Sequence, residues 1–89
     1  MQFRWIEWNR DHIAEHGVEM DESEMVVRDA SPPFPIKIEE QKWLVKGRGI
    51  GGRFLQVIYI VDPDRTVFVI HARPLTEREK KQLRRRRKT

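Results

Sequence analysis

The sequence predicts a small α+β fold whose helices and strands lie in separate parts of the chain. Helix-capping patterns occur before residue 30 and after residue 75, whereas residues 42–73 carry side chains that alternate with period two. Strands that follow one another without intervening helices favour an antiparallel sheet. We therefore expect a short N-terminal strand, two helices, a three-stranded antiparallel meander and a basic C-terminal helix. The 89 residues are expected to form one domain, 1–89.

Two elements are predicted at the N-terminus. Residues 3–8 are rich in aromatic side chains and predict a first strand. Asn9 or Asp11 can provide the N-cap of a short helix that runs to His16. Gly17 follows, and a glycine there commonly ends a helix because it adopts the left-handed backbone conformation.

A second helix and a proline-rich loop are predicted next. Asp21 can act as an N-cap, with Glu24 three residues later as in a capping box. The helix is expected to end near Asp29, because the proline-rich residues 31–35 exclude regular structure.

The meander is predicted from segments 42–46, 54–61 and 66–73, which are joined by turns at 47–52 and 62–65. The middle segment is apolar on both faces, as expected of a central strand that is covered on both sides. Unbroken alternation in the third segment predicts two sets of side chains. One face then carries Phe68, Ile70 and Ala72, and the other carries Val67, Val69, His71 and Arg73.

The last helix is predicted from a capping box at Thr76 and Glu79. Leu75 and Leu83 are its apolar anchors, and residues 84–89 form a basic tail. Residues 73–89 carry nine Lys and Arg against two Glu, whereas residues 1–72 carry nine against twelve Asp and Glu. Such clustering points to a polyanion, or an acidic protein surface, as the partner of the C-terminal segment.

The amino-acid composition excludes several classes of protein for this chain. There is no cysteine, which excludes a disulfide scaffold and thiolate chemistry. The longest apolar stretch, residues 54–61, is far shorter than the ~20 residues that span a bilayer. We therefore expect a cytoplasmic protein that has no membrane partner.

Two motifs match the spacing of known sites, but the residues around them do not fit those sites. Residues 47–52 match the spacing G-x-G-x-x-G, but a strand is predicted to follow where a dinucleotide site needs a helix. His12 and His16 lie four residues apart, but the metalloprotease pattern needs Glu after the first His, where this chain has Ile13. We expect neither a metal nor a cofactor.

A set of short motifs in a fixed order runs through nearly the whole chain. They are Trp8-Asn9, His16-Gly17-Val18, the acidic residues 21–27, Gly47-Arg48, Gly52-Arg53-Phe54-Leu55, Ala72-Arg73 with Thr76, and Glu79-Lys80. In this order they resemble the BrnT-type ribonuclease toxins of bacterial toxin–antitoxin pairs. The chain departs from that pattern at His71, where the family often has Ser or Thr, and at Leu83, where it often has Tyr.

The resemblance implies a RelE-like fold and cleavage of messenger RNA that stops growth. It also implies neutralisation by a cognate BrnA-like antitoxin. DNA would be contacted only indirectly, through that antitoxin.

RNA cleavage without a metal needs a base for the 2′-OH proton, an acid for the leaving 5′-oxygen and cations for the phosphate. His71 and Arg73 lie on the same side of one predicted strand, and Arg53 opens the neighbouring strand. His71 can titrate near neutral pH, although it can also be an ordinary hydrogen-bonded residue at a strand end. Glu79 is a candidate base, but the capping box explains it without catalysis.

The other candidate residues are cations that can contact phosphate, because a guanidinium fork matches two oxygens. They are Arg48, Arg53, Lys80, Lys81, Arg84 and Arg85. Two further functions remain open from the residues alone: a non-catalytic module that binds RNA or an acidic partner, and an interaction domain whose only partner is a protein.

Overall fold

A computed structural model describes residues 1–87 of the chain, without the side chains of residues 86 and 87. Three helices and four strands follow one another in an α+β arrangement. They are α1 (Glu7–Ala14), α2 (Met20–Arg28), β1 (Ile36–Glu39), β2 (Lys42–Arg48), β3 (Phe54–Val61), β4 (Val67–Pro74) and α3 (Glu77–Arg87). The last two residues of the predicted basic tail lie outside the described part.

The predicted first strand at residues 3–8 is wrong. Only Phe3 makes a strand-like contact, an isolated parallel bridge to Val67, and helix α1 begins at Glu7. The buried Asn9 explains the change, because its side-chain oxygen accepts a 2.7 Å hydrogen bond from the backbone N–H of Ile6. Asn9 therefore caps α1 from within the first turn instead of preceding it.

Helix α2 begins earlier than predicted. Its N-cap is Glu19 rather than Asp21, and the Glu22 carboxylate accepts a 3.1 Å hydrogen bond from the Glu19 N–H. The end of α2 is confirmed, because Asp29 is its C-cap. Helix α1 ends earlier than predicted, at Ala14 with Glu15 as its C-cap, and the turn that follows reaches Gly17, whose φ is +70°.

The sheet has four antiparallel strands in the order β1-β2-β3-β4, not the three that were predicted. The missed strand is β1, a short edge strand in which Ile36 pairs with Leu44. Gln41 lies in the hairpin between β1 and β2, with a φ of +63°. The short length and exposure of β1 give it only a weak sequence signal.

A β-bulge in β4 changes which face its side chains occupy. Ile58 pairs with His71 and its neighbour Tyr59 pairs with Val69, so Ile70 has no partner across the ladder. The extra residue reverses the alternation: Val69 and Ala72 are both fully buried, although their spacing predicts opposite faces. The prediction that His71 shares a face with Val69 is therefore wrong.

The two faces of the sheet have different neighbours. On one face Val45, Val57 and Ala72 are cross-strand partners, each fully buried. They belong to one core cluster with Ile13 of α1 and Val26 of α2. Helix α3 approaches the opposite face, where its Glu79 contacts Lys46 and Arg73. Within residues 1–87 no helix is long and apolar enough to cross a membrane.

Candidate active site

The three histidines of the chain meet at the β4 edge of the sheet. His71 lies on β4, His12 on α1 and His16 in the turn that follows α1. The ring centroid of His71 is 5.4 Å from that of His16 and 6.3 Å from that of His12. His16 is exposed and the other two are half-buried, so solvent reaches the cluster.

An aromatic arrangement extends the cluster along α1. Trp8 stacks on His12, with ring centroids 5.1 Å apart and planes 7° from parallel. Its indole also meets Phe68 of β4 edge-on at 6.1 Å, and the guanidinium of Arg4 lies 4.0 Å above the Phe68 ring. These contacts hold α1 against β4 and fix the position of His12 relative to His71.

The environment of His71 favours its neutral form. Partial burial is the main cause that lowers the pKa of His71 below its ordinary value, and the nearby His16, Arg73 and His12 lower it further. A neutral imidazole near pH 7 can accept a proton. The structure therefore gives His71 the protonation state that a general base requires.

Arg73 lies two residues after His71 on the same face and is held by carboxylate and amide groups. Its Nη1 and Nη2 donate to the two carboxylate oxygens of Glu79, each at 2.8 Å. Nη1 also donates to the carbonyl oxygen of Pro74 at 3.1 Å, and Nη2 to Gln56 at 3.3 Å. Both terminal nitrogens are thus engaged within the protein.

Glu79 is held from both sides. Its carboxylate accepts a 2.9 Å hydrogen bond from the backbone N–H of Thr76, and its own N–H donates to the Thr76 hydroxyl at 3.2 Å. The predicted capping box is therefore confirmed. The hydrogen bonds from Arg73, followed by those from Thr76, lower the pKa of Glu79 to about 2. So weak a base is poorly matched to proton transfer near neutral pH.

Arg53 belongs to a separate set of contacts. Its guanidinium makes two 2.8 Å hydrogen bonds to the carboxylate of Glu22 on α2. It also donates to the carbonyl oxygen of Gly17. The hydrogen bonds from Arg53 are the main cause that lowers the pKa of Glu22. Arg53 therefore ties the start of β3 to α2, and no hydrogen bond within residues 1–87 joins it to His71, Arg73 or Glu79.

The remaining predicted cations divide by location. Arg48 lies at the end of β2 with its guanidinium 4.8 Å above the Phe54 ring. On α3, Lys80 pairs with Glu77 at 3.1 Å. Lys81, Arg84 and Arg85 are exposed, so α3 presents a positive surface beside the Arg73–Glu79 pair.

The proximity of His12 and His16 to His71 was not predicted from the sequence. Their spacing of four residues was interpreted within α1 alone, as a metal pair that was set aside or, for His16, as part of the helix C-terminal cap. Within residues 1–87 no three His, Cys, Asp or Glu side chains are arranged to hold a metal ion. Of the tryptophans, Trp5 and Trp43 pack against the core, whereas Trp8 is 55% exposed.

Comparison with known proteins adds no relative on which an assignment could rest. No protein-family model, curated protein or solved structure matches the chain.

Proposed function

We propose that this protein is an endoribonuclease that cleaves RNA without a metal, with His71 and His16 as its acid–base pair. The observation that carries the proposal is the 5.4 Å separation of the two imidazole rings at an accessible edge of the sheet. Two imidazoles at this separation can reach the attacking 2′-oxygen and the leaving 5′-oxygen of one phosphate group. General acid–base catalysis requires a donor and an acceptor within reach of the same reacting group.

The proposed chemical step gives the two imidazoles opposite roles, base and acid. Neutral His71 accepts the proton of the ribose 2′-OH, and the 2′-oxygen forms a bond to phosphorus. The bond from phosphorus to the 5′-oxygen breaks, and the exposed His16 donates a proton to that oxygen. The products are a 2′,3′-cyclic phosphate and a 5′-hydroxyl. The need for a 2′-OH makes RNA the substrate rather than DNA.

The cations have different roles in this proposal. Arg73 and Glu79 hold α3 against the sheet, and the charge of Arg73 helps to keep His71 neutral. Contact with the RNA backbone falls to exposed side chains of α3, namely Lys81, Arg84 and Arg85. Such contacts supply affinity that depends on salt and not on sequence.

The biological context of the proposal comes from the resemblance to BrnT-type toxins. We extend the proposal to a RelE-like toxin of a type II toxin–antitoxin pair that cleaves messenger RNA and is neutralised by a BrnA-like antitoxin. The α+β arrangement and the basic terminal helix support this assignment. A growth arrest on expression, relieved by a co-expressed antitoxin, is the expected phenotype.

The test is cleavage of a defined single-stranded RNA at low salt in EDTA, with the products analysed for 2′,3′-cyclic phosphate ends. We expect both His71→Ala and His16→Ala to reduce the rate ~100-fold or more, as is typical for general acid–base groups. Glu40→Ala, on the opposite edge of the sheet, is the matched control. Equal rates for His71→Ala and the wild type would contradict the proposal.

A second candidate function is a non-catalytic RNA-binding module of the same fold. Two ion pairs favour this alternative. Arg73 and Arg53 were expected to stabilise the phosphate, but Arg73 pairs with Glu79 and Arg53 pairs with Glu22. This alternative predicts that the wild type binds the RNA without cutting it. It also predicts that His71→Ala leaves the affinity unchanged.

A further inference from the structure

An open groove between α1 and α2 lies outside the histidine cluster. Its volume is about 610 Å³, within the ~300–1,000 Å³ range of protein ligand sites. Trp5, Ala14 and Val18 provide apolar lining, and Met20 at the start of α2 is 37% exposed. Apolar surface greatly exceeds polar surface in the lining. The groove therefore has the composition of a binding surface rather than of a solvated cleft.

The rim of the groove is acidic. Glu19, Asp21 and Glu24 line it against a single cation, Arg10. The Glu24 carboxylate accepts a 2.8 Å hydrogen bond from the indole N–H of Trp5 and also pairs with Arg28. Among the described side chains, those of residues 1–85, Glu19 and Asp21 form no ion pair within 4.0 Å. Asp21 is thus left to face a ligand, whereas Glu19 is also the N-cap of α2 and its charge acts on Arg53.

We propose that this groove binds a cationic amphipathic helix of another protein. A cleft lined by residues of two helices suits the helix-in-groove mode, in which apolar side chains spaced by three and four residues enter the cleft. Lysine or arginine on the flanks of such a helix would meet Glu19 and Asp21. Like charges repel an acidic helix or a nucleic acid from the same rim.

A second copy of this chain does not fit the groove. Its cationic helix is α3, whose only apolar side chain is Leu83. Leu83 is 5% exposed, and Leu75 just before the helix is 6% exposed, so both are buried in their own molecule. Helix α3 therefore has positive charge for the rim but no free apolar side chain for the cleft.

The test uses a synthetic peptide of about 15 leucine and lysine residues, with leucines at helical i, i+3, i+4 and i+7 positions. A matched peptide carries glutamate in place of lysine. Binding to the whole protein is followed by fluorescence anisotropy of a dye on the peptide. We expect saturable binding of the lysine peptide and at least tenfold weaker binding of the glutamate peptide.

Two variants locate the binding. Ala14→Trp fills the cleft from an exposed position on α1. Asp21→Lys reverses one charge on the rim. Each substitution is expected to weaken binding of the lysine peptide at least tenfold. Glu40→Lys makes the same change of net charge on the β1–β2 hairpin and is expected to have little effect. Circular dichroism of each variant confirms that it is folded.

Three results would overturn the proposal. The first is lysine-peptide binding that Ala14→Trp leaves unchanged in folded protein. The second is equal affinity for the two peptides, which would indicate an apolar site without charge selection. The third is self-association in sedimentation experiments that Ala14→Trp abolishes, which would assign the groove to a second copy. None of these results depends on whether the histidine cluster cleaves RNA.

Discussion

Arg73 and Glu79 form a bidentate ion pair that joins β4 to the first turn of α3, and both nitrogen–oxygen distances are 2.8 Å. The pair is also close to Lys46, whose ammonium lies 4.0 Å from the same carboxylate. Lys46, Gln56 and Arg73 are cross-strand neighbours in one row of the sheet. Glu79 thus offsets part of the positive charge of Lys46 and Arg73, and this arrangement leads to the first two predictions.

Stability is expected to fall on acidification through the Glu79 carboxylate. Its pKa is lowered from 4.5 to about 2 in the folded protein. The stabilisation is therefore fully present above pH ~4.5 and is lost as the pH falls towards 2. Glu79→Gln should lower the free energy of unfolding by about 2 kcal/mol at pH 7, at ~1.4 kcal/mol per pKa unit with an allowance for solvent screening.

Urea denaturation at pH 7 and at pH 3 checks this prediction. The cost of Glu79→Gln should be smaller at pH 3, where part of the stabilisation is already lost. Glu77→Gln is the control in the same helical turn, because Glu77 is 80% exposed and should cost little. A cost of Glu79→Gln that does not change with pH would contradict the role given to the ion pair.

RNA affinity is expected to rise when Arg73 is released from Glu79. In Glu79→Gln the guanidinium faces a neutral amide and can contact a phosphate. Each added phosphate contact steepens the slope of log affinity against log salt by about 0.7 for a single strand. All variants in this experiment carry His71→Ala, so that the RNA is not cleaved. RNA affinity is then measured over a series of salt concentrations by filter binding or fluorescence anisotropy. Glu77→Gln should leave the slope nearly unchanged, and an equal increase in both variants would indicate net charge alone.

The titration of His71 is expected to depend on its neighbours. Burial first, and then the charges of His16, Arg73 and His12, lower its pKa below the ordinary 6.5. NMR titration of the imidazole should therefore show a midpoint below 6.5, and His16→Gln should raise it. The same shift makes the protein lose stability as the pH falls below 6.5, because the unfolded chain then binds the proton more readily.

Lys37→Gln on the opposite edge strand is the control for the titration. It removes a positive charge from the protein but not from the surroundings of His71, so the midpoint should stay in place. A His71 midpoint that is the same in the wild type and His16→Gln would exclude coupling between the two rings.

Arg53 is expected to matter more to stability than to RNA binding. Its removal leaves the Glu22 carboxylate, only 12% exposed, without its cation. We expect Arg53→Gln to lower the free energy of unfolding by about 1–2 kcal/mol, since an unpaired, largely buried polar group is costly. Arg48→Gln, which changes a cation over the Phe54 ring, should cost less than 1 kcal/mol. Thermal denaturation of both variants, together with RNA binding, separates the two roles.

Close packing of the turn after β2 against α2 is expected to exclude a side chain at Gly49. A Cβ there would lie 3.0 Å from the carbonyl oxygen of Glu22 and 3.4 Å from Leu55. Gly49→Ala should therefore destabilise the protein by about 1–2 kcal/mol, because backbone and core must shift. Gly47→Ala is the matched control, since its Cβ would meet Val26 at an ordinary 3.8 Å. Equal stability of the two variants in urea would contradict the packing described.

The sequence by itself determined the local features of the fold. The capping box of Thr76 and Glu79, the end of α2 at Asp29 and the central strand β3 all lie where the pattern predicts them. Each depends on residues a few positions apart, whose backbone preferences and hydrogen bonds act within one turn or strand. The short edge strand β1 and the inward cap by Asn9 were missed because their local signals are weak or ambiguous.

Only the tertiary structure decided which residues meet. The bulge at Ile70 turned His71 away from the core face, and no local pattern marks it. His16 and His71 are separated by 55 positions in the sequence but by 5.4 Å between ring centroids. The partners of Arg53 and Arg73 were likewise chosen by packing, which brings Glu22 and Glu79 within 2.8 Å. Such contacts depend on strand register and helix placement, which are properties of the whole chain.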